Sequence, residues 1–378
     1  MRSSTALVVL VLLALGSTIG ETQSPIPVTH LSPNVACPRC RIEVKPSISI
    51  GDDDGPGILG GYPNVVLRMP SGSLVLAGGG REDQAPRFFD ARGRYVRTVG
   101  RFGAGPREFQ FVRAGFVQGD SVYLVDVVNA RLSVVRPTSG VVREVRLDPP
   151  INAPYASAFG GGIALSGGIA GADGRSAALQ RYGRDGKRIG SMGTADQLVS
   201  RFGFIRWQQP HPARDGGLWS VAGFGAYVIH RWDADGRPLR NYVGHSSWFT
   251  AGEGDRAPSP HEKPSTELQD VWEDANGLLW VIALIEDPNW ARALGPERII
   301  EGRSASEILR RDRYYDTMIE VIDTKTWRVI SRQRFDLPAT YVLDDATIGV
   351  YDSWSDDDIP RVRTFTLTLR GWPMVPRR

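Results

Sequence analysis

Residues 88–96 read FFDARGRYV, an apolar run, a turn around Asp90 and Gly93, and a second extended run. The pattern recurs as RYGRDGKRI at 181–189 and as RWDADGRPL at 231–239. Each copy predicts two antiparallel strands joined by a glycine turn. We therefore expect the chain to be built from a repeated β-hairpin.

Weaker copies of the hairpin lie at 135–142 and 321–330. The hairpins recur about every 46 to 51 residues, with one gap of about 90, which is typical of four-stranded propeller blades. Apolar strands opened by turns precede them, as at 72–76 and 276–281. The strict alternation of Thr with Phe or Leu at 364–369 also indicates β-structure.

We expect an all-β fold, a six-bladed β-propeller of four-stranded antiparallel blades over 42–372. The blades are predicted near 63–100, 112–147, 153–193, 204–244, 269–335 and 340–370. The alternating segment 42–50 is expected to pair with the last blade and to close the ring, removing an open edge. In blade 5, Ser304 and Glu307 form a capping-box pattern that predicts a short helical insertion at 304–311. A two-domain β-sandwich array is the rival fold.

Composition excludes several classes of protein. The chain has 378 residues, and its 43 Gly and 26 Pro indicate many turns. Its 45 Lys and Arg against 42 Asp and Glu give a net charge of +3. A nucleic-acid-binding domain would carry a clustered basic face, so no nucleic-acid partner is expected.

The first 20 residues have the layout of a secretory signal peptide, with Arg2, an apolar run at 6–15 and small residues after it. The run is shorter than the roughly 20 residues that span a bilayer, so no transmembrane segment is expected after cleavage. We expect export to the periplasm or the medium.

The two cysteines, Cys37 and Cys40, lie in the predicted N-terminal linker, residues 21–41. Cysteines this close in an oxidising compartment usually form a disulfide. A redox dithiol and half of a zinc site are the alternatives. A short C-terminal tail is predicted at 373–378.

Residues 123–135, YLVDVVNARLSVV, resemble the NHL repeat, and 88–109 resemble the hairpin and exit of the same family. Residues 271–280 are similar to blades of two-component-regulator propellers. The chain is thus similar to exported six-bladed propellers of bacteria with no assigned activity. The resemblance implies that Asp126 and Arg131 tie strand ends together.

Some members of the resembled family are lyases and lactonases that hold a metal in the central channel. The five histidines here do not occupy equivalent positions in successive blades, so a multi-histidine centre is not expected. No cofactor is expected, with Ca²⁺ as the one alternative. Two acidic runs could supply oxygen ligands, although two solvated turns explain them as well. They are Asp52, Asp53, Asp54, Asp356, Asp357 and Asp358.

Six long irregular segments interrupt the repeat, and the blade assignment puts all of them on one face of the disk. They are 51–62, 101–112, 194–204, 245–267, 286–315 and 352–361. Long loops in a compact domain are usually functional or disordered, and their grouping on one face favours a shared site.

The sequence has no G-x-S-x-G, H-E-x-x-H or phosphate-loop motif, so no catalytic residue is assigned. We expect a monomeric binding module for a protein, peptide or glycan, neutral or zwitterionic. The candidate ligand-binding residues are Arg206, His245, Trp248, Asp287, Trp290, Arg313, Asp352 and Trp354.

The alternative is a hydrolase or lyase with a channel-mouth site. In it a loop carboxylate or His211 acts as base and Ca²⁺ as electrophile. A redox role for the cysteine pair is the remaining alternative.

Overall fold

Six small antiparallel sheets form a ring, which is a six-bladed β-propeller, as predicted. The structure is a computed structural model that describes residues 26–170, 176–194, 207–252, 257–300, 303–353 and 359–373. The strands of each blade are called a to d from the channel outward. Inner strands contact each other from blade 1 through blade 5, and the inner strand of blade 6 contacts that of blade 1.

Blades 1 to 3 follow in chain order. Blade 1 comprises Val65–Arg68, Leu74–Ala77, Arg87–Phe89 and Tyr95–Thr98. Blade 2 comprises Val112–Gln118, Ser121–Asp126, Arg131–Arg136 and Gly140–Arg146. Blade 3 comprises Ala156–Phe159, Gly162–Ala170, Ser176–Tyr182 and Arg188–Thr194.

Blades 4 to 6 complete the ring. Blade 4 comprises Gln208–Pro212, Leu218–Ala222, Val228–Trp232 and Pro238–Gly244. Blade 5 comprises Glu267–Glu273, Leu278–Glu286, Tyr315–Asp323 and Arg328–Phe335. Blade 6 comprises Tyr341–Asp344, Thr347–Asp352, Arg361–Arg370 and, as its outer strand, Arg41–Ile50.

The N-terminal strand closes the ring, as predicted. Arg41–Ile50 pairs antiparallel with Arg361–Arg370, from Arg41 opposite Arg370 to Ile50 opposite Val362. The last blade is thereby assembled from both ends of the propeller. Without the N-terminal strand, Arg361–Arg370 would be an unpaired edge. A second N-terminal strand, Val28–Leu31, lies within the stretch predicted as a linker. It adds parallel to strand d of blade 4, which makes that blade five-stranded.

The glycine of the repeated hairpin is required at each c–d turn. Gly93, Gly186 and Gly236 all have φ near +80°, a conformation that side chains other than glycine rarely adopt. A Cβ on Gly93 would also lie 2.4 Å from the carbonyl oxygen of Ser49, and one on Gly186 would lie 2.1 Å from that of Arg146. Each turn therefore rests on the outer strand of the preceding blade, which is why the glycine recurs at blade spacing.

The core consists of apolar layers between adjacent blades. Between blades 5 and 6, Trp272 and Trp280 stack with ring centroids 5.9 Å apart. Trp219 packs in the layer between blades 4 and 5. Trp219 and Trp280, which follow Gly-Leu openings of their strands, are both buried.

Asp126 and Arg131 serve the architecture, in agreement with the expectation from the repeat. Asp126 is fully buried, and its carboxylate accepts backbone N–H groups of Gln110, Phe111 and Asn129. Arg131 donates to the carbonyl oxygens of Gly105, at 3.0 Å, and Glu108, at 2.6 Å. Both side chains therefore fix the connection that leads from blade 1 into blade 2.

The predicted helix at 304–311 in blade 5 is wrong. Arg303–Ala305 is a strand paired with Arg298–Ile300, and Glu307 accepts the N–H of Gly295 through its carbonyl oxygen. The capping-box residues thus use their backbone groups for pairing within the insertion, which outcompetes a helix too short to be stable by itself. The insertion contains two 3₁₀ turns instead, Trp290–Ala293 and Arg311–Arg313.

Two smaller features complete the described elements. A two-stranded parallel sheet joins Arg101–Phe102 with Glu108–Phe109 in the exit from blade 1. The remaining 3₁₀ turns are Gly55–Gly57 and Arg81–Gln84.

Candidate functional site in the central channel

A cavity of about 790 Å³ lies along the axis of the ring and is lined by strand a of every blade. It reaches from Tyr62, just before strand a of blade 1, to Gly72 in the a–b turn of the same blade. Small-molecule sites typically occupy roughly 300–1,000 Å³. The channel is therefore large enough to hold a ligand.

Each blade brings a polar residue to the cavity at or near the start of its strand a. We call this set the polar ring: Asn64, Arg113, Tyr155, Gln209, Gln269 and Thr340. Every strand a begins on the same face of a propeller. The polar ring therefore gathers at one end of the channel.

The same end of the channel opens on the face that carries the long loops. In these antiparallel blades the b–c and d–a connections lie at the end where strand a begins. The strands that flank all six long segments end on this face, which we call the loop-rich face. Within those segments, residues 195–206, 253–256, 301–302 and 354–358 lie outside the described part of the chain.

Tyr155 of the polar ring lines the cavity, and 37% of the residue remains accessible. The surrounding protein and the negative charges of Glu267 and Asp270 raise the pKa of Tyr155 to about 12, while Arg113 opposes the shift. The phenol therefore stays protonated near neutral pH and is available to donate a hydrogen bond into the channel.

Glu267, next to the polar ring at Gln269, accepts two hydrogen bonds and faces one cation. Its carboxylate accepts the hydroxyl of Tyr315 at 2.7 Å and the side-chain amide of Gln269 at 3.2 Å, and Arg311 lies 3.8 Å away. Burial and the Glu267 carboxylate raise the pKa of Tyr315. This network connects the insertion of blade 5 to the polar ring.

His211 and Asp270 form a pair inside the channel, across the junction of blades 4 and 5. The Nδ1 atom of His211 lies 3.6 Å from Oδ1 of Asp270, and both residues line the cavity. The same Oδ1 accepts the N–H of Val271 at 2.7 Å, which fixes the carboxylate. An imidazole beside a fixed carboxylate can bind a polar ligand or exchange a proton with it.

A charged pair lies at the other end of the channel. Arg68 of blade 1 contacts Asp344 of blade 6 at 2.8 Å and donates to the hydroxyl of Thr347 at 2.9 Å. Both Arg68 and Asp344 line the cavity. These contacts join the first and last blades where the ring closes.

Two of the predicted ligand-binding residues lie in the connection from blade 4 to blade 5, away from the channel cavity. His245 contacts His30 through a ring-nitrogen pair at 2.9 Å. Trp248 packs against Tyr227 and Phe249 in the layer between blades 4 and 5. Their binding role stays a prediction.

Four others lie on the loop-rich face outside the channel. Asp287 and Arg313 line a separate cavity of about 310 Å³, and Trp290 packs edge-on against Tyr314. Asp352 lies 3.3 Å from Arg363. The structure therefore brings Asp287 and Arg313 together but does not bring either to the polar ring.

The remaining predicted residues are only partly described. Arg206, Trp354, Asp356, Asp357 and Asp358 lie outside the described residues, as does the predicted signal peptide. Of the first acidic run, Asp53 lies 2.7 Å from Arg361. Metal binding by these two runs stays a prediction.

Cys37 and Cys40 form a disulfide, with sulfur atoms 2.07 Å apart. Both residues are buried and pack with Ile42 and Trp272 in the layer between blades 5 and 6. The pair therefore anchors the chain immediately before the closing strand.

Sequence reasoning missed all six residues of the polar ring. Tyr155, Arg113 and Gln269 belong to no motif that the sequence shows. The available signal was positional, because each lies at or near the start of the first strand of its blade. Aligning the blades by strand a would have placed them at one end of the channel.

Comparisons with known proteins support the fold. No family model matches the chain, and no curated protein matches it by sequence. A candidate exported protein of Bacteroides fragilis has a similar structure, with a TM-score of 0.54 and 10% identity over 91% of this chain and 99% of that one. A DUF4221 member of Bacteroides vulgatus gives a TM-score of 0.54 and 10% identity, over 87% and 98% of the two chains.

A third similar structure is the virginiamycin B lyase of Staphylococcus aureus. Its TM-score is 0.41, with 9% identity over 87% of this chain and all of that one, too distant to bear on activity. Within the described ranges, no helix has the length and apolar character to span a membrane.

Proposed function

We propose that this propeller is an exported binding protein that takes a segment of a protein, peptide or glycan into its central channel from the loop-rich face. The observation that carries the proposal is the polar ring, in which all six blades contribute to one end of a single cavity of about 790 Å³. A rigid ring holds such groups in fixed positions, so little ordering is needed when a ligand binds.

The chemistry of the ring favours a neutral or zwitterionic ligand. Asn64, Gln209 and Gln269 offer both donors and acceptors, and Tyr155 offers a phenol. Arg113 and Asp270 add one charge of each sign, so the channel does not select a polyanion. Such a set can hydrogen-bond to the hydroxyl groups of a sugar or to the amide groups of a peptide.

A comparison of two tyrosines tests the channel as the binding site. Glycan and peptide arrays provide ligands, and titration calorimetry gives their affinities for purified protein. Tyr155→Phe should weaken binding about three- to tenfold, because the loss of one hydrogen bond costs roughly 1 kcal/mol of binding free energy. Tyr95→Phe, on the outer strand of blade 1, is the matched control and should change nothing. Equal affinities for the wild type and Tyr155→Phe would refute a contribution of this phenol.

The proposal of export rests on the apolar run at 6–15 and on the buried disulfide between Cys37 and Cys40. Disulfides persist in oxidising compartments. In a bacterial host, N-terminal sequencing of the periplasmic protein should give a first residue at or near Glu21. Recovery of the intact chain beginning at Met1 in the cytoplasm would contradict export.

We also propose that the protein is a monomer, which light scattering tests. We further propose that it belongs to the NHL-repeat class of propellers.

The pair of His211 and Asp270 favours a second candidate function, a hydrolase or lyase in which His211 acts as base. The ligands found on the arrays distinguish the two functions. Conversion of a bound ligand by the wild type, abolished in His211→Gln, would establish the enzyme. Binding without conversion by the wild type is the result that the binding protein predicts.

A further inference from the structure

Blade 5 places an aspartate at the loop-rich end of three adjacent strands. Asp287 follows strand b, Asp316 is the second residue of strand c, and Asp336 follows strand d. The register pairs Glu286 with Tyr315 and Phe335 with Thr317, so these strand ends meet at one edge. Each aspartate offers a carboxylate oxygen, and the three oxygens lie within 4.8 Å of one another.

The cluster is buried on one side and open on the other. Asp287 and Asp316 are 7% and 3% exposed, whereas Asp336 is exposed. Arg334 contacts Oδ2 of Asp316 and donates to the carbonyl oxygen of Glu286 at 2.6 Å. The Oδ1 atom of Asp316 is buried and has no hydrogen-bond partner among the described residues.

This arrangement is unfavourable without a further cation. A buried carboxylate oxygen without a partner loses its hydration and gains nothing in exchange. Arg334 compensates only one of the three carboxylates in the cluster. Burial and the charges of Asp287 and Asp336 accordingly raise the pKa of Asp316, although Arg334 opposes the shift.

We propose that Asp287, Asp316 and Asp336 hold a calcium ion. Calcium takes six to eight oxygen ligands at about 2.3–2.6 Å, so ligands on opposite sides of the ion lie about 4.8 Å apart. Three oxygens that lie within 4.8 Å of one another can share one ion of this size. Magnesium needs near-ideal octahedral geometry at about 2.0–2.1 Å and keeps several of its waters, so a partly buried set of three carboxylates favours calcium. Water completes the coordination on the exposed side, at Asp336.

The ion would fix the start of the blade 5 insertion on the loop-rich face. The backbone N–H of Asn289 already donates to Oδ1 of Asp287, and that of Trp290 donates to the Asp287 carbonyl oxygen at 3.1 Å. A calcium ion on the same aspartate therefore holds the first turn of the insertion against the strand edge. This inference does not depend on what the channel binds.

A competing arrangement needs no metal. Asp287 lines the cavity of about 310 Å³ together with Arg292, Arg310 and Arg313. If these arginines neutralise the cluster, the protein gains no stability from calcium. Arg310 and Arg313, however, already lie 2.7 and 3.8 Å from Asp312.

Thermal unfolding tests the proposal. After treatment with EDTA and dialysis, millimolar Ca²⁺ should raise the Tm of the wild type on the order of 3 °C, and Mg²⁺ should raise it by less than half as much. Asp316→Asn and Asp336→Asn should lose the calcium shift. Asp336→Asn should keep at least the wild-type Tm in EDTA, because it removes a repelling charge from the exposed side of the cluster. Asp316→Asn also loses the charge of its contact with Arg334, so only its calcium shift is compared. Asp120→Asn, at an exposed aspartate of blade 2 outside the cluster, should keep the shift.

Terbium luminescence supplies a second readout, because Tb³⁺ occupies calcium sites and is excited by nearby aromatic rings. Trp290 and Tyr314 hydrogen-bond to the backbone of Asp287, and Tyr315 directly precedes Asp316. Sensitised emission should grow with added Tb³⁺, fall when Ca²⁺ is added, and be at least tenfold weaker in Asp336→Asn. Absence of a calcium shift in the wild type, its persistence in both cluster variants, or an equal shift with Mg²⁺ would overturn the proposal.

Discussion

Trp248 donates its indole N–H to Oε1 of Glu320 at 2.9 Å, which joins the loop after blade 4 to strand c of blade 5. The same buried carboxylate accepts the hydroxyl of Tyr227 and contacts the guanidinium of Arg332. Arg332 in turn donates to the hydroxyl of Ser246 at 2.9 Å. A single acidic side chain thus anchors the long loop to the rigid ring.

Replacing Glu320 by Gln should be strongly destabilising. The substitution keeps the shape of the side chain but leaves Arg332 without its charge partner in a largely buried position, which costs about 3–5 kcal/mol. Urea denaturation measures the loss. Glu43→Gln, which breaks exposed pairs with Lys45 and Arg370, is the control and should have no measurable effect. Equal stability of the two variants would contradict this account of the loop.

The repeated hairpin was predictable because the local backbone conformation of its turn requires glycine. Gly186 has a positive φ and lies against the preceding blade, which leaves no room for a side chain. Glycine therefore recurs in the sequence at blade spacing. The closing strand at Arg41–Ile50 was predictable for a similar reason, since its alternation matches that of Arg361–Arg370.

The helical insertion and the polar ring were not predictable in this way. The pattern at Ser304 and Glu307 is compatible with a helix, and only pairing with Arg298–Ile300 decides against it. Tyr155 of blade 3 and Gln269 of blade 5 line the same cavity only because the blades form a ring. Their shared position depends on the arrangement of blades that are far apart in sequence, and no local sequence pattern predicts it.

The close approach of the hairpin turns can be tested with two glycines. Both Gly186 and Gly119 have positive φ, but a Cβ on Gly186 would lie 2.1 Å from the Arg146 carbonyl oxygen, whereas one on Gly119 meets nothing within 4 Å. Gly119→Ala should cost about 1 kcal/mol, from backbone strain alone. Gly186→Ala should cost at least about 2 kcal/mol more, because a backbone clash is added. Chemical denaturation that gives equal losses would show that the turn does not rest on blade 2.

The stability of the protein should depend on pH through His230. Burial lowers the pKa of this histidine from 6.5 to about 4, although a hydrogen bond with Asn241 opposes the shift. Below pH 6.5 His230 becomes protonated in the unfolded chain, whereas in the folded protein it stays neutral down to about pH 4. The free energy of unfolding should therefore fall over this range, by up to about 3 kcal/mol.

Denaturation curves between pH 7 and pH 4 measure this dependence. His230→Gln should flatten the profile relative to the wild type. His261→Gln, at an exposed histidine, should follow the wild-type profile. An unchanged slope in His230→Gln would exclude His230 as its source.

The two N-terminal strands should contribute very differently to stability. A mature chain that begins at residue 34 loses only Val28–Leu31, the added strand of blade 4. A chain that begins at residue 52 also loses the disulfide and the closing strand, and exposes the edge of Arg361–Arg370. The first should unfold within a few degrees of the full-length protein. The second should aggregate or unfold at least 10 °C lower, as light scattering during heating would show, and a monomer with an unchanged Tm would refute closure of the ring.

The central claim, that ligands bind inside the channel, is tested most directly by filling it. Gln209 lines the cavity, and Gln209→Trp places an indole in the polar ring. Val96, exposed on the outer strand of blade 1, gives the matched control Val96→Trp. Titration calorimetry with ligands from the arrays should give the same affinity for Val96→Trp as for the wild type, and an affinity at least tenfold lower for Gln209→Trp. Unchanged affinity in a folded Gln209→Trp would contradict the claim and would place the ligand elsewhere on the molecule.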